Sequence, residues 1–480
     1  MKFNILNLFV AILIMIAISS CEKEVIDFTE VVNPNLSEDA IVGKANSSKA
    51  LVGGLSRQLS IVNNDYVTIS EIASDNYTNT RTFFNQALDN LTINFQDADI
   101  NALQFQIARL RELANYGLDV VGPADPTYTS ALEAEFHFYK GLALLLAGDY
   151  FIALPAQEGG TPLSSDENYN LSIESFQASI ASSPSAKAHL AIARANYRLG
   201  NKTAAVNSAN NALNLDNDLV FAAEFDKING PVSDIESALF ERGSFDDLQP
   251  LPSLDFLDPK YSFNGNSIDF PVAVLKAEEA YLIIAEAQAT DNQLNPMKNT
   301  LKNLLDLVNS RPKKQLDDSV DDRLEADGET KRPTGTDVVV KYDGQDDFTS
   351  GLVKDRTDIN VATVSGTSIT DSDIEAVSTQ DEALELIYIL RQQIFIAEGI
   401  RAVDLGIKYI LSENEIQLNN NVELGDFGTE SDLPSFIDSI KSDLDTFTYD
   451  AQAKEVIIKY NLNRILVENK SSDKVLPFSN

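Results

Sequence analysis

Three side chains in this 480-residue chain could serve as a thiol nucleophile or an imidazole base: Cys21, His137 and His189. Cys21 stands in "IAISSCEKEVID" and is the sole cysteine, so no disulfide is possible within the chain. Lys2, an apolar run from Ile5 to Ile18, and then Ser19 and Ser20 before Cys21 have the form of a secretory signal. The run is shorter than the ~20 residues a membrane-spanning helix needs. A cysteine directly after small residues is the attachment point in lipoprotein signals. We therefore expect residues 1–20 to be a removed leader, Cys21 to carry lipid, and 21–34 to be a tether. The other reading is a cut elsewhere that leaves Cys21 as a free thiol. His137 and His189 each stand eleven residues before a glycine, Gly148 and Gly200. One reading is a paired metal or acid–base site, and the other is a packing position repeated in a helical array. A metal site would call for cysteine or further histidine, so packing is expected.

The remaining chemistry points to binding. No Gly-x-Ser-x-Gly elbow, His-Glu-x-x-His or glycine-rich phosphate loop occurs, and two carboxylates can always be found among 73. Catalysis is not expected. Sugars are held by aromatic faces and by forked hydrogen-bonding side chains; without Trp, stacking falls to the 15 Tyr and 24 Phe. Two segments combine both kinds of residue. "SDNYTNTRTFFN" carries Asp75, Asn76, Tyr77, Arg81, Phe83 and Phe84, and "LDPKYSFNGNS" carries Lys260, Tyr261, Phe263, Asn264 and Asn266. The plainer reading is that the aromatics pin each loop to the body while Asn and Gly make its turns. The acidic stretch "LDDSVDDRLEADGE", 316–329, could hold calcium, but its spacing misses the Asp-x-Asp-x-Asp-Gly loop. A solvated acidic run is expected there, and no cofactor.

Charge narrows the partners. With 37 basic and 73 acidic side chains the net charge is −36 and the isoelectric point is near 4.3. Nucleic-acid phosphates and anionic bilayers repel such a chain, so nucleic acid is excluded as a partner. Membrane attachment then has to come from acyl chains, at about 0.8 kcal/mol per buried methylene.

The elements that must position these residues read as mainly helical. "AKAHLAIARANYRLGNKTAAVNSANNALNLD", 186–216, carries small residues at helical spacing on both sides of Gly200, a pattern that resembles a tetratricopeptide repeat. A second copy starts at "ALEAEFHFYKGLALLLAGDYFIALP", 131–155, and resumes, after a Gly/Pro-rich insertion, with a helix from about Leu171. A third pair is expected from Val272, and one long helix over 381–411. Helices are also expected over 44–62 and 99–121. Between 312 and 380 a polar excursion contains "DVVVKYDG", which alternates like a strand. The expected fold is a tetratricopeptide-like helical repeat scaffold with long loops and minor β structure. It divides into an N-terminal region, 35–235, and a C-terminal region, 236–480, that includes the excursion.

In this order the segments resemble the SusD/RagB-like outer-membrane nutrient-binding lipoproteins of Bacteroidetes. The resemblance rests on Cys21, "ISEIASDNYTN", "QIARLRELANYGLDVV", "EAEFHFYKGLALLLAGDYFIALP", "FPVAVLKAEEAYLIIAEA", "LLDLVNSRP" and "LRQQIFIAEGIRAVDL". The chain departs from the family pattern at Arg311-Pro312, at Leu390-Arg391, and in lacking Trp. The resemblance implies an exterior-facing outer-membrane lipoprotein. Such a protein captures an oligomeric nutrient, most often a glycan and otherwise a peptide, for a SusC-like TonB-dependent transporter. The alternatives are a tetratricopeptide-like scaffold for a protein complex or, last, a surface hydrolase. Glu278, Glu286, Arg391, Arg401 and Asp404 fall in the matching motifs and are expected to form ion pairs or helix caps rather than to touch ligand.

Overall fold

Ser164 decides where one of the repeat helices begins. Its hydroxyl accepts the Glu167 backbone N–H at 3.3 Å, while the Glu167 carboxylate accepts both N–H and O–H of Ser164 at 2.8 Å. This reciprocal cap starts the helix at Ser165, inside the insertion, well before the Leu171 that periodicity alone suggests. Ser164→Ala should lower the unfolding free energy by about 1 kcal/mol, read from urea denaturation, with the fold retained.

A computed structural model describes residues 42–79, 85–240, 248–261, 269–319, 332–345, 347–357 and 359–479. The leader, the tether and Cys21 lie outside the described residues. So do Arg81, Phe83, Phe84, Phe263, Asn264, Asn266 and the acidic run from residue 320 to 329. The principal helices are α1 (Ser47–Ile72), α2 (Ala98–Tyr116), α3 (Ser130–Tyr150), α4 (Ser165–Ser182), α5 (Ala186–Arg198), α6 (Lys202–Leu215), α7 (Ala277–Thr290), α8 (Leu294–Ser310) and α9 (Gln380–Ile394). Consecutive members from α3 to α8 pack in pairs, giving three antiparallel hairpins in a row, and α1 and α2 lie against α3. The α3–α4 contact depends on small residues: a Cβ on Gly148 would lie 2.6 Å from the Tyr169 ring. Ala188, Ala191, Ala195, Ala205, Ala209 and Ala212 are all buried in the next hairpin, as their spacing predicts. Among the described residues no helix is long and apolar enough to cross a membrane.

His137 on α3 and His189 on α5 are both half-buried, and burial lowers the pKa of each imidazole. No group of three or more metal-ligating side chains occurs among the described residues. The two histidines sit at equivalent positions of successive hairpins.

Two expectations need correction. The third pair does not begin as a helix at Val272. Val272–Lys276 is a fully buried strand, paired antiparallel with Val220–Ala223, and α7 starts at Ala277. An apolar run buried on both faces has no period to distinguish strand from helix. Nor is 381–411 one helix. After α9 the chain turns through Ala397 (φ 61°) and Gly399 (φ 74°) and re-enters a short helix, α10 (Ile400–Asp404). A Cβ on Gly399 would meet the Tyr66 ring at 2.8 Å, so both the backbone angle and the space require glycine there.

The excursion is stitched to the body by β structure. Lys313–Leu316 pairs antiparallel with Ile359–Ala362. "VVKY", Val339–Tyr342, is a strand as its alternation predicts; it pairs in parallel with Glu455–Ile458, which in turn pairs with Phe447–Asp450. Elements on both sides of residue 235 pack together: Val220–Ala223 on Val272–Lys276, α6 on α7, and α1 on α10.

Candidate functional site

The turn between α9 and α10 gathers the bases of both loops singled out in the sequence. From the first loop, Asp75 receives Arg401 through Nε (2.6 Å) and a terminal nitrogen (2.9 Å), and also the Gln392 amide (3.0 Å). Asn76 donates to Glu71 at 2.8 Å, and Glu71 in turn accepts the Gly399 backbone N–H at 2.9 Å. Tyr77 is fully buried and its backbone pairs with Pro250. From the second loop, the Lys260 ammonium donates to the carbonyls of Ile394 and Ile396 at 3.0 Å and to Glu398 at 2.5 Å. Tyr261 donates to the same Glu398 oxygen at 2.8 Å, and Lys276 reaches it from the strand before α7 at 2.5 Å.

Asp75, Asn76, Tyr77, Lys260 and Tyr261, the candidate ligand contacts that fall among the described residues, are each buried, which agrees with the plainer reading that they pin their loops to the body. The polar atoms of Asp75, Asn76, Lys260 and Tyr261 bind the protein itself. The physical reason is the turn. Its carbonyls and the Glu398 carboxylate demand donors, and lysine and tyrosine from the loops supply them. Burial pushes the Glu71 carboxyl up to about 7, against the opposing bonds from Asn76 and Gly399. Burial also pulls Lys260 down to about 7, with Glu398 opposing.

A second buried network lies where α5, α7 and α9 meet. Arg391 grips Asp404 with two bonds of 2.8 Å, and Arg198 adds a third at 3.1 Å while lying 3.5 Å from Asp149. Burial opposes ionisation of Asp404, yet Arg391 and Arg198 hold its carboxyl below the usual range. Tyr197 donates to Glu286 at 2.7 Å and lies 2.9 Å from the Tyr388 hydroxyl. Burial raises Glu286 to about 7. Arg311 binds Glu278 in a fork at 2.8 and 2.9 Å, and Arg194 does the same to Glu279 at 2.6 and 2.7 Å. Glu278, Arg391, Arg401 and Asp404 are thus ion-paired, as expected, whereas Glu286 is hydrogen-bonded to Tyr197 instead, and these groups are turned on one another rather than on solvent.

What faces solvent was not singled out by sequence. Phe105 on α2 is 61% exposed and Phe427 63% exposed, while Leu418 and Leu424 are 79% and 64% exposed. Phe105 did leave a signal: Ile100, Leu103, Ile107 and Leu110 form the buried stripe of α2, and Phe105 is off it. Phe427 sits alone among Gly and Asp in "ELGDFGTE", where one sequence offers no period to judge it by. Nearby, Leu91, Ile93, Leu433, Asp432, Asp438 and Lys441 line a cleft of about 320 Å³.

No protein-family model matches the chain, and no curated protein matches it. Solved structures do. A SusD superfamily protein from Bacteroides fragilis aligns with TM-score 0.53 at 14% identity, over 80% of this chain and 99% of that one. Another from Bacteroides thetaiotaomicron aligns with TM-score 0.52 at 11% identity, over 79% and 98%. A SusD-like carbohydrate binding protein from Bacteroides vulgatus aligns at TM-score 0.49 and 14% identity, over 76% and 83%. Nearly the full length of two SusD superfamily proteins is therefore matched by about four fifths of this chain, and the fold of this chain is the SusD-like fold.

Proposed function

We propose that the protein is a SusD-like, lipid-anchored outer-membrane component of nutrient uptake. In this reading it binds an oligomeric nutrient, foremost a glycan, and hands it to a SusC-like TonB-dependent barrel. The observation that carries the reading is the SusD-like fold matched along 99% of a superfamily structure. Cys21 after an apolar run and two serines supports the anchor, and a net charge of −36 leaves acyl chains as the means of membrane attachment. The helical hairpins and the two buried charged networks supply rigidity, and loops carry the recognition.

The test is to tag the full-length protein, extract native outer membranes in mild detergent and identify its partners by mass spectrometry. A large barrel transporter at equal stoichiometry is expected. A well-folded protein without it would overturn the reading in favour of a scaffold. Metabolic palmitate labelling is expected to be lost completely in Cys21→Ala, and the protein should then appear in the soluble fraction. Labelling that persists in that variant would remove the anchor.

A further inference from the structure

We propose that Asn229, in the exposed turn from Asp226 to Pro231, is a latent deamidation site, and that Asp226 is the residue that keeps it unreacted. The inference is independent of what the protein binds.

The turn itself calls for the reactive pair. The chain has to reverse between the strand Val220–Ala223 and a short helix, Asp234–Phe240. Gly230 takes φ 66°, where any side chain is strained, so glycine is favoured there. Asparagine is a turn-forming residue that suits the position before it. The resulting stretch, "DKINGP", contains Asn-Gly, the pair in which asparagine is chemically least durable, because glycine leaves its backbone nitrogen unshielded. That nitrogen gives its proton to water or hydroxide and attacks the side-chain carbonyl carbon of Asn229. A succinimide ring closes and the amide nitrogen leaves as ammonia. Water then opens the ring at either carbonyl, giving aspartate or isoaspartate. The net change is water consumed and ammonia released. Water is at hand, since Ile228 in the middle of the turn is 89% exposed and Asn229 is exposed too. Burial does not protect this site.

Hydrogen bonds do, and they converge on Asp226. The Gly230 backbone N–H, the attacking group, donates to the Asp226 carbonyl at 2.7 Å, which disfavours both its deprotonation and its approach. The Asn229 side-chain amide donates to Asp226 Oδ2 at 2.8 Å, so the ring can close only if that bond opens. The Asn229 and Ile228 backbone N–H groups donate to Oδ1 at 3.0 and 2.8 Å. These bonds, that of the Asn229 amide foremost, hold the Asp226 carboxyl below its usual range. Its negative charge is therefore present at neutral pH, where it further disfavours taking a proton from Gly230. The Asp226 N–H closes the turn on the Pro231 carbonyl at 2.9 Å. Beyond it, Asn64 of α1 donates to the Val232 carbonyl at 2.8 Å and accepts the Asp234 N–H at 3.0 Å, so the frame is fixed to the body. Reaction also destroys the clamp: a carboxylate at position 229 has no proton to donate and is repelled by Asp226.

The experiment incubates full-length protein at mildly alkaline pH and follows the peptide containing residue 229 by mass spectrometry. The same residue in guanidinium chloride reports the unclamped rate. Native wild type is expected to convert at least about tenfold more slowly than the unfolded chain, and native Asp226→Ala about tenfold faster than wild type. Asp226→Asn keeps an acceptor for the Ile228 and Asn229 N–H groups but loses the charge; it is the gentler variant and is also expected to outpace wild type. Both substitutions lie on an exposed turn and should leave the urea midpoint unchanged. Native wild type converting as fast as the unfolded chain would overturn the proposal. So would wild-type rates in both folded variants, since the protection would then not be that of Asp226.

Discussion

Glu398→Gln is expected to destabilise the protein by about 3–5 kcal/mol, a large share of the ~5–15 kcal/mol that folds a domain. One oxygen of Glu398 accepts from Lys260, Lys276 and Tyr261, and both lysines are fully buried. Glutamine keeps the shape and an acceptor but removes the counter-charge, leaving two ammonium groups against the carbonyls of Ile394, Ile396 and Val364. An uncompensated buried charge, rather than a lost hydrogen bond, dominates the effect. Adding Lys260→Met to Glu398→Gln should therefore recover much of the loss, which a merely steric role for Glu398 would not allow. Urea denaturation of the two variants beside wild type decides it. A loss below about 1 kcal/mol in Glu398→Gln would refute the idea that an uncompensated buried charge dominates there.

That cluster also explains what the sequence could and could not announce. Helical periodicity with small residues located the hairpins, because alanine and glycine at spacings of three and four leave a readable stripe; Ala188, Ala191 and Ala195 are buried as predicted. In the motif Glu398-Gly399 … Arg401 … Asp404, the last two were legible as ion-pairing residues. Its partners Asp75 and Lys260 were not, because they come from distant segments and their residue types also suit ligand binding. Aspartate, asparagine and tyrosine in a loop look alike whether they hold sugar or hold the loop. Only the demand of the α9–α10 turn for donors, visible in three dimensions, separates the two. The same limit hid the break after α9. Ile394, Ile396, Ala397 and Ile400 are all buried, so an apolar run continued unbroken through a turn. That no basic residue interrupts 409–440 was legible in the sequence, but that Leu418, Leu424 and Phe427 face water was not, because a six-residue helix and the loop after it offer no period to judge them by.

Stability is expected to be greater near pH 5 than near pH 7, the reverse of ordinary acid sensitivity. Glu71 and Glu286 are fully buried, and burial raises each carboxyl from 4.5 to about 7. Asp65 and Asp89 are likewise raised to about 7 and Asp445 to about 6, chiefly by burial and then by neighbouring carboxylates for the first two. Between about pH 4 and 7 the native state therefore holds more protons than the unfolded chain, and stability falls as pH rises through that window. The two fully buried groups contribute on the order of 3 kcal/mol each; the partly exposed three contribute less because solvent screens them. Asp404 and Glu278 do not oppose this, since their lowered carboxyls lose stability only as pH falls below the usual carboxylate range. His137 and His189 oppose it weakly, as half-buried imidazoles whose lowered pKa favours higher pH. Above pH 7 the sign turns: Lys260, lowered from 10.5 to about 7, sheds its native proton first, so stability recovers toward pH 10. Urea midpoints at pH 5, 7 and 9 should pass through a minimum near 7. Glu71→Gln combined with Glu286→Gln should flatten the fall between 5 and 7, because amides mimic the protonated carboxyls. A wild-type midpoint that climbs from pH 5 to 7 would show that these buried carboxyls are ionised in the native protein.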